Sequence, residues 1–256
     1  MRGTRSLAAG LLSGPATALS FLTVVPVPPR DATAPSPIAS SVAWFPPVGA
    51  LIGGLAGAVR VAAQPAFGAP VASVLSLIVL VGITGALHQD GLADSADGLG
   101  VHGDRERRLA AMRDSAIGAF GILALLAWAL LFVTALATLS DTHALQALIA
   151  ACALARWAAL LHAAAVPAAR PDGLGTTFRP SPAQLAIATA LAVAVAELAC
   201  GPLAGLAAIG AAVLSAALSA VWARRALGGR TGDTLGATIA LAEVVVCLAL
   251  VVVWHG

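Results

Sequence analysis

Three aspartates, Asp90, Asp94 and Asp97, lie within the segment HQDGLADSADGLG at residues 88–100. If this segment is helical and continues the apolar stretch before it, Asp94 and Asp97 lie about 40° and 20° from Asp90 around the helix axis, and the three side chains share one face. Like charges on one helix face repel, and a nearby membrane adds a desolvation cost. A divalent cation would relieve both costs. An all-oxygen ligand set favours Mg²⁺ or Mn²⁺ over zinc.

Mg²⁺ held by few carboxylates usually keeps positions for water and for substrate phosphates. The cluster therefore predicts a metal site that binds a pyrophosphate. The alternative is that these acids are helix caps and solvated loop charges, which the glycines of the segment would allow by breaking the helix.

A second block, MRDSAIGAFG at residues 112–121, stands directly before an apolar segment. Asp114 and Ser115 occupy a position typical of helix N-caps. Arg113 is a candidate for binding a phosphate. Capping alone would also explain this block.

Two glycine-rich turns, ARPDGLGTTF and LGGRTGDTLG, resemble helix entrances whose backbone N–H groups bind anions. Each turn is a weak signal by itself. Together with the first block they predict one site, and their candidate binding residues are Arg170, Asp172, Arg230, Thr231 and Asp233.

The elements that must position these residues are membrane helices. The chain has 256 residues, of which 59% are hydrophobic and 10% are charged, and its mean hydropathy is +0.94. A soluble domain of this length carries more charge. We predict an all-α, polytopic integral membrane bundle of about seven transmembrane helices, at residues 42–65, 70–87, 116–139, 143–166, 183–200, 203–223 and 235–254.

The distribution of arginines predicts the orientation. One set of loops carries most of them, namely Arg2, Arg5, Arg30, Arg105, Arg107, Arg108, Arg113, Arg170, Arg179, Arg224, Arg225 and Arg230. The positive-inside rule places this side in the cytoplasm. We therefore expect a single membrane domain over residues 1–256, with 1–41 as a cytoplasmic or interfacial segment. Residues 42–256 form the helical core, with active-site loops at 88–115, 167–182 and 224–234 and the C terminus outside.

The N terminus leaves two interpretations open. Arg2 and Arg5 precede an apolar run and the sequence Ala16-Thr17-Ala18, as in a signal peptide. Gly14 and Pro15 interrupt that run, however, and it continues into SFLTVVPVPP. We expect a retained segment, with cleavage as the alternative and the placement of residues 7–28 relative to the membrane left open.

Several residues inside the predicted spans have a simpler expected role. Glu243, which lies about two turns from the cytoplasmic end, could brace the site, whereas Glu197 and Arg156 could pair with each other. Glycines at positions 49, 53 and 57 predict close helix packing. The three cysteines have no metal-binding or disulfide pattern and are interpreted as small hydrophobic residues.

These blocks closely resemble the cobalamin synthase family, also called the adenosylcobinamide-GDP ribazoletransferases. The matching stretches are SFLTVVPVP, WFPPVGALIGG, TGALHQDGLADSADGLG, MRDSAIGAFG, ARPDGLG and GGRTGDTLGAT followed by ALAEV. They run in family order from about residue 20 to residue 246. Gln89, Ala116 and Arg230 differ from common family members, but none of these differences removes an acid.

The resemblance implies a Mg²⁺-dependent phosphotransferase of the inner membrane that performs the last joining step of cobalamin assembly. A hydroxyl of α-ribazole, or of its 5′-phosphate, attacks the cobinamide-side phosphoryl group of adenosylcobinamide-GDP, and GMP leaves. Metal would bind Asp90, Asp94 and Asp97, and Asp233 would complete the metal shell or act as the base. The remaining substrate-binding candidates are His88, Arg113, Asp114, Ser115, Arg170, Asp172, Arg230, Thr231 and Glu243.

Two other functions fit parts of the sequence. A CDP-alcohol phosphotransferase also has spaced aspartates at a membrane helix end, but its Asp-Gly-x-x-Ala-Arg pattern is absent here because Asp94 follows Ala93. A cation transporter would use Glu197, Glu243 and Arg156 as a path. The lipid bilayer is the expected partner, nucleic acid is not, and a homo-oligomer or an association with other cobalamin-pathway enzymes is compatible with the resemblance.

Overall fold

The computed structural model describes residues 14–27, 41–170, 176 and 179–255. Within these residues the chain is built from helices, as predicted. A helical segment covers 14–22, and a short 3₁₀ helix, Val42–Trp44, leads into the bundle. The helices that follow are α1 (Phe45–Thr84), α2 (Leu87–Gly100), α3 (Arg105–Ala111), α4 (Ala119–Thr138), α5 (Asp141–Ala165), α6 (Pro182–Cys200), α7 (Pro202–Leu227) and α8 (Gly232–His255).

Six helical segments of the described chain are long and apolar enough to cross a membrane. One of them, α1, is a hairpin that folds back at Gly68 (φ 76°). Ser76 Oγ donates to the carbonyl of Ala56 at 2.8 Å, although residues 20 apart on a straight helix would be separated by about 30 Å. The arms 45–67 and 69–84 therefore run antiparallel, and the six candidate spans of the described residues are consistent with the prediction of about seven transmembrane helices.

Helix α5 lies in the middle of the bundle and contacts α1, α6, α7 and α8. The predicted glycine stripe packs on it. A Cβ atom on Gly49 or Gly53 would clash with backbone atoms of Cys152 or Leu148. The close approach of the two backbones thus requires glycine, and the packing prediction is confirmed.

The two ends of the bundle differ. At one end, Arg60 pairs with Asp141 at 3.1 Å, and the C-terminal Trp254 stacks on His143 with ring centroids 4.3 Å apart. The turns predicted at Ser140 and Gly201 lie at this end, and the first turn lies there too, at Gly68 instead of at the predicted Gln64–Pro65. The long loops lie at the opposite end, so the C terminus and the loops are on different sides.

The segment 14–22 belongs to the packed fold. Ala18 and Leu22 are buried in the same core as the membrane helices, and Val24 N–H donates to the carbonyl of Ile83 at 2.8 Å. Residues 1–13 lie outside the described residues. All three cysteines are unpaired, and Cys152 and Cys247 are buried, in agreement with their interpretation as core residues.

Candidate active site

The aspartate-bearing helix α2 does not continue the preceding membrane arm, contrary to our assumption. Gly85 (φ 61°) and Ala86 (φ 57°) both adopt the left-handed conformation and turn the chain between the arm and α2. Such a conformation costs alanine roughly 1–2 kcal/mol, which the surrounding packing must offset. The prediction that residues 88–98 are helical is confirmed, but α2 takes its direction from another helix, α8.

Glycines set the crossing of α2 and α8. A Cβ atom on Gly91 would lie 2.6 Å from the carbonyl oxygen of Asp233, and one on Gly236 would lie 3.5 Å from the Cα atom of Gly91. The approach of the backbones requires glycine at position 91, whereas a Cβ atom on Gly236 would make ordinary van der Waals contact. The crossing brings Asp90, next to Gly91, beside Asp233, which is 143 residues away along the chain.

The carboxylates at this crossing repel one another. The pKa of Asp94 is raised to about 7. Partial burial is the main cause, and the nearby charges of Asp90, Asp233 and Asp97 contribute to the same shift. Asp90 is exposed, whereas Asp94 is half-buried. The cluster is therefore an acidic site whose charge is balanced by a proton or by a cation.

Asp97 has an additional set of partners. Its two carboxylate oxygens accept hydrogen bonds from Gly118 N–H at 2.7 Å and Gly121 N–H at 2.9 Å, at the N terminus of α4. A Cβ atom on either glycine would collide with the carboxylate. Because Gly118 and Gly121 lack side chains, Asp97 of α2 can cap the N terminus of α4. The metal-binding role predicted for Asp97 remains a prediction.

The expectation that Asp114 or Ser115 caps the following helix is wrong. Helix α4 begins at Ala119 with Gly118 as N-cap, and its N–H groups bond to Asp97 instead. Asp114 Oδ1 accepts from Ala116 N–H at 3.0 Å within the preceding turn. Arg113, Asp114 and Ser115 are exposed at the loop end of the bundle.

Arginines hold the site loops together. Arg105 Nε donates to the carbonyl of Leu227 at 2.7 Å, and Arg170 Nη2 donates to the carbonyl of Leu109 at 2.9 Å. Arg230 donates to the carbonyl of Val166, and its backbone pairs with Pro167 and Ala169. Sequence reasoning missed Arg105, although its position in the run RERR could have indicated an anchoring role.

The turn before α8 is fixed by its own side chains. Thr231 N–H donates to Thr234 Oγ1 at 2.9 Å, and Thr234 N–H donates to Thr231 Oγ1 at 3.2 Å. Thr231 Oγ1 also donates to Asp233 Oδ2 at 3.3 Å. Arg170 lies close enough to Asp233 to interact with its charge. Thr231 therefore orients Asp233 toward α2, while Asp172 lies outside the described residues.

Beneath the aspartates is a buried ion pair between Arg156 and Glu243, both fully buried. Arg156 thus pairs with Glu243, and the expected pairing with Glu197 is wrong. Burial, and secondarily the charge of Arg156, holds the pKa of His88 well below its usual range. The pair lies close to His88 and braces α8 against α5.

A cavity of about 90 Å³ lies beside the α2–α8 crossing. Asp90, Asp233 and His88 line one part of it, and apolar side chains that include Phe21 and Phe45 line the rest. The carboxylates thus face a space that can admit a small apolar group.

The carboxylate oxygens of this site suit a hard cation, although the protein side chains alone do not complete its ligand set. Among the residues that the structure describes, no three His, Cys, Asp or Glu side chains are grouped closely enough to hold an ion. Mg²⁺ commonly binds one or two carboxylates and completes its shell with water and substrate phosphate. Asp90 and Asp94 offer such a pair one helical turn apart.

The fold and the site together define a polytopic helical membrane protein with an acidic site at one end of its bundle. Within that class, the chain belongs to the family described as cobalamin-5-phosphate synthase (CobS), which it matches over residues 14–251. None of the solved structures matches this chain.

Curated relatives agree with the family. The chain is 41% identical over 242 residues to a protein of Klebsiella pneumoniae strain 342, an alignment that covers 91% of this chain and 97% of the relative. It is 41% identical over 237 residues to one of Bradyrhizobium diazoefficiens, with 90% of each chain covered. Both relatives are named adenosylcobinamide-GDP ribazoletransferase.

Proposed function

We propose that this chain is an adenosylcobinamide-GDP ribazoletransferase. It joins adenosylcobinamide-GDP to α-ribazole, or to α-ribazole 5′-phosphate, and releases GMP. The named relatives, which align over nine-tenths of both chains, support this activity over the CDP-alcohol and transporter alternatives. The structural observation that carries the proposal is the α2–α8 crossing, which sets Asp90 and Asp94 against Asp233 beside a cavity.

The cofactor in this proposal is Mg²⁺, held by Asp90 and Asp94. When bound, the ion would supply positive charge to the pyrophosphate oxygens and to the GMP leaving group. The mutual repulsion of the carboxylates supports this assignment, because a cation removes it. Asp97 is assigned to the capping of α4, since both of its oxygens already accept backbone hydrogen bonds.

Asp233 is assigned as the general base. Thr231 accounts for its orientation, and it borders the cavity together with Asp90. It takes the proton from the attacking ribazole hydroxyl as the oxygen bonds to the cobinamide-side phosphorus. The bond from that phosphorus to the GMP oxygen breaks, and GMP leaves with the electron pair. Arg113, which is exposed at the same end, is assigned to bind the phosphates.

The site faces the cytoplasm in this proposal, and the membrane is the inner membrane. The arginine-rich loops supply the orientation. The structure brings these loops to one end, where Arg105 and Arg170 tie them together.

Release of GMP by the detergent-purified protein tests the function. The assay contains adenosylcobinamide-GDP, α-ribazole 5′-phosphate and Mg²⁺, and corrinoid product is measured in parallel. Asp94→Ala should abolish release, and EDTA should abolish it in the wild type. Asp104→Asn is the matched control, because Asp104 caps α3 and asparagine caps equally well.

Failure of the folded wild-type protein to release GMP would reject the function. Release that survives in Asp94→Ala would keep the function and reject the metal assignment. For Asp233→Asn we expect a loss of turnover with Mg²⁺ binding retained, and a loss of Mg²⁺ binding would make Asp233 a ligand instead of the base.

A further inference from the structure

A groove of about 390 Å³ lies on the flank of the bundle between α2, α7 and α8. We call it the flank groove and define it by the apolar side chains of Leu92, Leu99, Leu214, Leu218, Trp222 and Leu241, which line it. Leu99, Leu214 and Leu218 are 55%, 54% and 62% exposed, so the groove is open on its outer side. Because α7 and α8 are long and apolar enough to span a membrane, that outer side faces lipid.

The flank groove lies on the opposite side of α2 from the aspartate cluster. Leu92 and Leu99 line the groove, and they project about 160° and 180° away from Asp90 around the helix axis. The groove is therefore separate from the acidic site, and the proposed reaction does not use it.

The side chains of α7 change from apolar to aromatic to cationic along the groove. Leu214, Leu218 and Trp222 follow one another at intervals of four residues, and Arg225 comes three residues later in the last turn of α7. Steps of three and four residues return to the same face of a helix, so Arg225 lies on the groove face. It is about 16 Å from Leu214 along the helix axis. Tryptophan is typical of the boundary between hydrocarbon and headgroups, which puts Arg225 at the level of the lipid phosphates.

A second arginine lies at the same end of the groove. Arg108 Nη1 donates to the carbonyl of Leu99 at 2.9 Å and to that of Gly98 at 3.1 Å, where α2 ends. Arg225 is exposed, and its guanidinium is thus open to a ligand from outside the bundle. Positive charge at one end of an apolar groove complements a molecule with an anionic head and an apolar chain.

We propose that the flank groove binds an acyl chain of one anionic phospholipid, whose phosphate contacts Arg225. Within a bilayer the hydrophobic effect gives little preference for one apolar surface over another. Selection of this lipid therefore comes from its headgroup, through charge-assisted hydrogen bonds between guanidinium and phosphate. The site is independent of the proposed function, because it holds neither substrate.

Native mass spectrometry of the full-length protein in detergent tests the headgroup preference. The delipidated protein is titrated with phosphatidylglycerol or with phosphatidylcholine that carries the same acyl chains. We expect one phosphatidylglycerol to bind more tightly than phosphatidylcholine, and Arg225→Gln to weaken its binding about fivefold. Glycerol 3-phosphate, which has the charge but no chain, should not displace the lipid.

Arg224→Gln is the matched control for this titration. Arg224 is also exposed in the last turn of α7, so its replacement removes the same charge from the same helix end. Its side chain projects about 100° away from that of Arg225, off the groove face. The Arg224→Gln protein should therefore bind phosphatidylglycerol as the wild type does.

Fluorescence quenching locates the acyl chain. Phosphatidylglycerol with brominated acyl chains, added at one lipid per protein, should quench part of the tryptophan emission of the wild type. Trp222→Phe should remove most of this quenching, because Trp222 lines the groove. Trp254→Phe is the control and should retain the quenching, because Trp254 lies at the opposite end of the bundle.

Several results would overturn the inference. Equal affinity for the two lipids, or equal affinity of Arg225→Gln and Arg224→Gln proteins that elute and melt alike, would reject the headgroup contact. Displacement of the lipid by glycerol 3-phosphate would reject the contribution of the chain. Quenching that survives in Trp222→Phe would place the chain elsewhere. A disulfide between two copies of Leu218→Cys, in vesicles and without the native cysteines, would show that a second copy covers the groove.

Discussion

Asp94 and Asp97 lie three residues apart on one helix, but their carboxylates have different surroundings. Asp97 accepts two backbone hydrogen bonds from the start of α4. Asp94 is surrounded by other carboxylates. At the scale of single residues, two similar acids of one motif therefore differ in role. Asp97 caps a helix, whereas Asp94 lies among like charges that repel it.

Replacement by asparagine should separate these roles. Asp97→Asn keeps one oxygen acceptor but loses the charge at the α4 N terminus, so we expect about 1 kcal/mol lower stability and unchanged Mg²⁺ affinity. Asp94→Asn should lose Mg²⁺ binding without losing stability. Thermal unfolding measures the stability of both variants, and Mg²⁺ titration measures their metal affinity. Weak Mg²⁺ binding by a stable Asp97→Asn protein would make Asp97 a metal ligand.

The pKa of Asp94 predicts how Mg²⁺ binding depends on pH. Its pKa of about 7 means that the metal-free protein retains a proton there below neutrality. Mg²⁺ must displace that proton, so its affinity should fall by about tenfold per pH unit below pH 7 and level off above it. In the metal-free protein, pH acts on folding stability in the opposite direction. The raised pKa favours the folded state at low pH, and this contribution is lost as pH rises from about 4 through 7.

Mg²⁺ titrations between about pH 5.5 and 8.5 test the predicted pH dependence of the Mg²⁺ affinity. Asp94→Asn serves as the reference, because residual binding in this variant should lack the inflection near neutrality. A wild-type affinity that is flat across the range would contradict the environment described for Asp94.

At the scale of elements, the crossing of α2 and α8 positions the site. Gly91→Ala would push a methyl group against the Asp233 carbonyl, from which its Cβ would be 2.6 Å away. The helices must separate, so we expect at least a tenfold loss of GMP release with the protein still folded. Gly82→Ala is the matched control, because a Cβ there has no atom within 4 Å. Equal activity of the two variants would show that the crossing is not required.

Particular elements show what the sequence could and could not predict. The hairpins, the glycine contacts of α1 with α5 and the gathering of the loops follow from local patterns and charge. The turn at Ala86 was missed because alanine carries no signal for a left-handed conformation. The capping of α4 by Asp97 and the choice of Glu243 over Glu197 by Arg156 depend on helix packing, which periodicity does not determine.

At the scale of the whole molecule, the site loops and the C-terminal end of α8 lie at opposite ends of the bundle. We predict that Ser115→Cys, in a protein whose native cysteines are replaced, resists a membrane-impermeant thiol reagent in intact cells and reacts after lysis. Thr142→Cys is the control at the opposite end, because Thr142 is exposed beside the Ser140 turn and should react in intact cells. The reverse pattern would invert the proposed orientation.

The left-handed pair Gly85–Ala86 mechanically uncouples the acidic helix from the arm that precedes it. Membrane helices tilt to match the thickness of the lipid around them. A tilt of the 69–84 arm can be absorbed at this joint, while Gly91 keeps α2 seated on α8. We expect GMP release to vary little among vesicles of short and long acyl chains, so that the enzyme tolerates membranes of changing lipid composition.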